Sequence, residues 1–114
     1  MKRLFALGFL CVLPILTFAG NKEVKPKLDL NQCKEILGAA IFNGVLEEVC
    51  GFNGGVKESL KEIYEKGQCR YTVPQSTVDT LAKDVLEDSR MRYKAFGEKA
   101  FCDANLKGYT DLMD

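Results

Sequence analysis

The chain has 114 residues, balances 16 basic against 16 acidic side chains and contains no histidine. Such even charge leaves no broad basic field to hold nucleic acid or an anionic membrane surface. The missing histidine removes the commonest general base, together with every Ser/His/Asp or Cys/His arrangement.

The opening residues set the expected compartment. Lys2 and Arg3 precede an apolar run from Leu4 to Leu16, and Thr17-Phe18-Ala19 then offers small residues at both cleavage-determining positions. This pattern predicts a secretory signal peptide over residues 1–19. A membrane anchor needs about 20 apolar residues, and this run is shorter and broken by Pro14. Cys11 follows Phe9 and Leu10 inside the apolar run, a context that does not suit lipidation. Cleavage after Ala19 leaves one domain with 14 basic and 16 acidic residues, a net charge of −2. The expected product is a bacterial exported protein, periplasmic or extracellular, with no membrane segment after cleavage.

Gly20 to Leu28 is polar, carries Pro26 and lacks periodicity, so it reads as a flexible leader. Asp29 with Gln32 has the form of a capping box. Cys33, Ile36, Leu37, Ala40, Ile41, Val45 and Val49 then recur at helical spacing, predicting a first helix that ends at Gly51. Phe42 and Leu46 widen its stripe, which marks a helix buried between two neighbours rather than one that floors a ligand groove. Gly38 and Gly44 each weaken the helix by about 1 kcal/mol relative to alanine, a cost that close approach of another helix would offset. Gly51 to Gly55 is a tight connection; it lacks the Gly-x-x-x-x-Gly-Lys-Ser/Thr pattern of a phosphate loop.

Val56, Leu60, Ile63 and Tyr64 form the stripe of a second helix stopped by Gly67, with Glu62 and Lys66 as a favourable i,i+4 pair. Gln68 to Gln75 is a loop, and within it Arg70 to Val73 is the only strand-like alternation. Ser76 with Asp79 resembles a second capping box. Val78, Leu81, Ala82, Val85, Ser89, Tyr93 and Phe96 carry a long third helix, which Gly97 either kinks or divides from a shorter fourth helix holding Ala100, Phe101, Cys102 and Leu106. Residues 108–114 read as a frayed tail. The expected fold is all-α: a small disulfide-linked bundle of three to four helices over residues 29–107, running up-down-up.

Cys33, Cys50, Cys69 and Cys102 remain after the expected cleavage. An even number in a small exported chain reads as a disulfide framework. No two of them are close enough in sequence to form the ligand pairs of a structural zinc site, so no metal and no cofactor is expected. Cys33 and Cys50 sit near opposite ends of one helix, roughly 25 Å apart at 1.5 Å per residue. Cys50 and Cys69 flank the second helix, roughly 20 Å or more apart. Bridged Cα atoms lie within about 7 Å, so the surviving pairing is Cys33 with Cys69 and Cys50 with Cys102. Loops of this length contribute about 3 to 4 kcal/mol per bridge in the chain-entropy model.

No catalytic residue is assigned. Glu47 and Glu48 are the best carboxylate candidates for a small hydrolase, but helical neighbours point about 100° apart. Asp84 with Asp88 and Glu58 with Glu62 share faces in charge-rich helices, which reads as solvated surface. Arg90, Arg92 and Lys94 form a short basic strip offset by Glu87 and Asp88. Arg70 and Tyr71, beside a bridged cysteine, are the candidate partner-binding residues; the competing reading folds Tyr71 back over the bundle end. The expected function is non-catalytic binding of another protein, of the inhibitor, immunity or assembly-factor type. One alternative is a small-molecule or lipid carrier with Phe42, Tyr93, Phe96 and Phe101 lining a cavity; the other is the carboxylate hydrolase.

Overall fold

A computed structural model describes residues 27–113. The expected signal peptide and most of the expected leader lie outside the described residues. Among the described residues four helices follow in order: α1 (Leu30–Cys50), α2 (Val56–Lys66), α3 (Gln75–Phe96) and α4 (Glu98–Asp111). A three-residue 3-10 turn, Cys69–Tyr71, joins α2 to α3, so the strand-like alternation there is helical turn instead. No strand occurs among the described residues, and the domain is an all-α, disulfide-linked bundle.

Local chemistry sets most boundaries. Asp29 caps α1 by accepting the Gln32 N–H at 2.8 Å, while the Gln32 side chain accepts the Asp29 N–H at 3.0 Å. Gly51 closes α1 in the left-handed region at φ 77°, a conformation that costs glycine little. α3 departs from expectation at its start, because Pro74 rather than Ser76 precedes its first turn. The Pro74 carbonyl already accepts the N–H groups of Thr77 and Val78, and proline's fixed φ suits the approach to a helix. Ser76 is thereby drawn inside the helix, and Asp79 accepts from the Gln75 side chain instead.

Gly97 divides rather than kinks. Its φ of 86° and ψ of 161° lie outside any helix, in a region essentially reserved for glycine, so α4 is a separate rod. The break lets the chain turn back, and Cys102 meets Cys50 instead of overshooting it.

α1 is the axis, packed against each of the other three helices. α2 returns antiparallel to it and delivers Cys69 to Cys33, with Cα atoms 5.5 Å apart. α3 then runs in the same sense as α1, from Leu81 beside Gly38 to Tyr93 near Val49. α4 crosses the far end, where Cys102 is bridged to Cys50 at a Cα separation of 5.7 Å.

Each bridge anchors its own apolar cluster. At one end Cys33, Cys69 and Val73 are buried, with Leu28, Tyr64 and Val78 packed around them. Leu28 lies over Gly67, where a β-carbon would collide with its side chain, and its N–H reaches the Gly67 carbonyl at 3.1 Å. At the other end Leu46, Val56, Phe101 and Tyr109 are buried, and Phe101 meets both Phe42 and Tyr93 edge-on.

The expected frayed tail is corrected at this second end. α4 continues to Asp111, and Tyr109 is only 2% exposed. Its ring packs on Phe52 with centroids 5.0 Å apart. Its hydroxyl donates to Glu47 at 2.8 Å and accepts the Gly54 N–H at 2.7 Å. These partners are distant in sequence, so no local pattern could announce them.

Candidate functional site

The two apolar flanks of α1 are treated differently. Phe42 and Leu46 lie beneath α4, within the cluster built on Phe101 and Tyr109. Leu37, Ile41, Val45 and Val49, spaced four residues apart, stay only half-buried along the opening between α2 and α3. That row spans about 18 Å at the rise of an α-helix. The expectation of a helix buried on both sides therefore holds for one flank and fails for the other.

The opening is one groove in two sections. The larger, about 460 Å³, is bounded by Leu37, Ile41 and Val45 below, Lys57, Lys61 and Tyr64 on α2, and Leu86 on α3. The smaller, about 330 Å³, continues over Val45 and Val49 to Ser89, Arg90 and Tyr93. Val45, Glu48 and Leu86 border both. Ser89 turns its hydroxyl onto the Val85 carbonyl at 2.8 Å, so its polar atom is satisfied within its own helix. Leu86 is 49% exposed and supplies the apolar lip.

At Gly44 the α2 wall comes close through the side chain of Lys57. A β-carbon there would come within 2.9 Å of the Lys57 Cδ, so the lysine stem lies across the glycine with its charged end free to reach solvent. This is the close approach that offsets a mid-helix glycine, made by a side chain of α2. The corresponding contact at Gly38 is looser, with Leu81 4.0 Å away.

Charge lies along both walls. Lys57 and Arg90 have no ion-pair partner among the described residues, and neither has Glu48. Lys61 pairs with Glu58 at 3.7 Å, and Glu65 pairs with Arg70 at 3.5 Å, both on exposed side chains. Burial, and then the Glu65 charge, pushes the Tyr64 phenol above its usual value. Burial, and then Glu98 through its charge and a hydrogen bond, does the same at Tyr93. Both phenols are thus neutral donors at neutral pH.

The residues singled out from sequence are dispersed. Glu47 is committed to structure: besides the Tyr109 hydroxyl it accepts the Lys57 N–H at 3.2 Å, capping the start of α2. Glu48 lies on the groove and away from that network. Asp88 pairs with Arg92 at 3.0 Å, and Glu62 with Lys66 at 2.9 Å. Of the aromatics expected to line a cavity, Phe42, Tyr93 and Phe101 pack on one another, Tyr93 also borders the smaller section of the groove, and Phe96 is 68% exposed. Among the described residues no group of ligating side chains could hold a metal ion, and no helix is long and apolar enough to cross a membrane.

Arg70 and Tyr71 lie at the Cys33–Cys69 end. Tyr71 stands 76% exposed rather than folded over the bundle, and Arg70 is paired to Glu65, which itself borders the groove. Leu86 was missed from the sequence because it falls one position off the α3 stripe, next to Val85. An apolar residue displaced from its stripe in a charge-rich helix was the available signal.

No family model matches the chain, and no curated protein or solved structure is detectably similar to it.

Proposed function

We propose that this chain is an exported, non-catalytic binding protein of the inhibitor, immunity or assembly-factor type, and that it engages another protein along the α1 groove. The observation that carries the reading is the half-buried row Leu37, Ile41, Val45 and Val49, which α2 and α3 flank but do not cover. Apolar surface left open beside a well-packed flank is characteristic of interaction sites. Two disulfides in so small a domain support an oxidising compartment. Arg70 and Tyr71 extend the surface at one end through the Glu65 pair.

The test is cross-linking from position 86 in exported protein isolated without denaturation. One stoichiometric companion should be trapped, and the double substitution Val45→Gln/Leu86→Gln should lose it while retaining helical content and both bridges. A companion still bound by that folded variant would remove the groove from the account. Exported protein with no companion at all would remove protein binding.

A further inference from the structure

Resting on the protein-binding reading, we propose that the groove accepts a single amphipathic α-helix of about three turns, carrying acidic residues along its edges and a hydrogen-bond donor facing Glu48. Three features of the opening lead there.

The first is shape. The floor is a row at steps of four on α1, inclined to that helix's axis as such ridges are, and both walls are helices. A rod laid over the row would meet three neighbours, as in a helical bundle, with its i, i+3, i+4 and i+7 side chains on the floor. The groove is open along its length, so an extended occupant is admitted without any rearrangement of the walls.

The second is charge on the walls. Lys57 and Lys61 line one side and Arg90 the other, and the ammonium of Lys57 and the guanidinium of Arg90 have no carboxylate partner among the described residues. A helix with Glu or Asp flanking its apolar face would place carboxylates against both. Opposed charges of this kind steer encounter and fix orientation.

The third is Glu48, which borders both sections of the groove and is likewise unpaired. Glu48 is exposed at the rim, and an acyl chain lying along the floor would shield its carboxylate from water on one side without offering a donor, which is unfavourable. A helix can answer it with one Arg, Lys, Asn or Ser. Glu48 thus disfavours a fatty acid or phospholipid and sets the polarity expected where a peptide occupant passes it.

The probes are two designed 14-residue helical peptides of identical length and apolar pattern. One carries glutamates at its flanks and an arginine at the position that would face Glu48; the other exchanges those charges. Fluorescence anisotropy with the full disulfide-bonded domain should give at least tenfold tighter binding of the acidic-flanked peptide. The Lys57→Glu/Arg90→Glu variant should reverse the preference, and Val45→Gln/Leu86→Gln should abolish binding of both.

Equal affinities would overturn the charge pattern. Failure of both peptides would overturn the helical occupant, and a native companion still cross-linked from position 86 would show that the protein-binding reading survives. A dimer in analytical ultracentrifugation that Val45→Gln/Leu86→Gln dissociates would replace the occupant with a second copy of the chain. A fatty acid retained in native mass spectrometry and lost from that variant would replace it with a lipid.

Discussion

The two flanks of α1 are built from the same kinds of residue and end in opposite states. On one, Leu46 is 1% exposed beneath Phe101 and Tyr109. On the other, Val45, its immediate neighbour, is only half-buried at the floor of a groove. The difference is one of cover and not of hydrophobicity: α4 folds back across the first flank, held by Cys50–Cys102, whereas α2 and α3 straddle the second. One flank therefore contributes stability, and the other leaves apolar area uncovered.

That division can be tested by asking which substitutions unfold the domain and which leave it folded. The largest effect should follow from removing the bridge that holds α4. Cys50→Ser/Cys102→Ser opens a loop of 52 residues, for which the chain-entropy model gives about 4 kcal/mol, and denaturant midpoints should fall accordingly. Removing the aromatic centre of the covered flank comes next: Phe101→Ala should cost about 3–5 kcal/mol in the same measurement. If either change proved neutral, α4 would not be what closes that side.

A smaller effect is expected at the latch between the C-terminal turn and the α1–α2 connection. Tyr109→Phe removes the hydroxyl shared by Glu47 and Gly54 and should cost about 1 kcal/mol in denaturant titrations. It should also alter the response to alkali. Burial, and then the bond to Glu47, raises the Tyr109 phenol above its ordinary value of 10.0. The unfolded chain therefore loses that proton first, so the latch's contribution is full below pH 10 and declines as pH rises through the higher folded value. Melting temperatures followed across that alkaline range should fall less steeply in Tyr109→Phe than in the parent, although Tyr64 and Tyr93 retain a similar dependence.

The smallest stability change belongs to the open flank. Val45→Gln/Leu86→Gln exchanges groove-facing apolar groups for polar ones that water can reach, and should cost about 1 kcal/mol or less. Urea titration of this variant beside Phe101→Ala measures the contrast between the flanks directly.

Much of the architecture is legible in the sequence, because the signals that fix it are local. The Asp29/Gln32 box and the glycines at 51 and 67 set boundaries within a few residues of themselves, and rigid helices between cysteines limit which thiols can meet. The misread features have distant causes. Tyr109 joins the core through Glu47 and Gly54, so its segment looked like a fraying end. Pro74 pre-empted Ser76 because its own carbonyl was already accepting helical N–H groups. The width of the α1 stripe was visible, but periodicity states how much apolar surface a helix carries and not which of it the other helices reach. For the same reason periodicity does not reveal the groove, and Leu86, which lies beside the α3 stripe, carries no local sign beyond that displacement that it borders one.

The central claim, that the uncovered flank of α1 is where this protein meets its partner, is tested most directly by methyl NMR of the domain, free and bound to the companion trapped in the exported material. The account predicts that shifts concentrate on Leu37, Ile41, Val45, Val49 and Leu86, with Leu46 and Val56 little affected. Perturbation confined to Leu106, Leu112 and the outer face of α4, with the groove methyls unchanged, would contradict it.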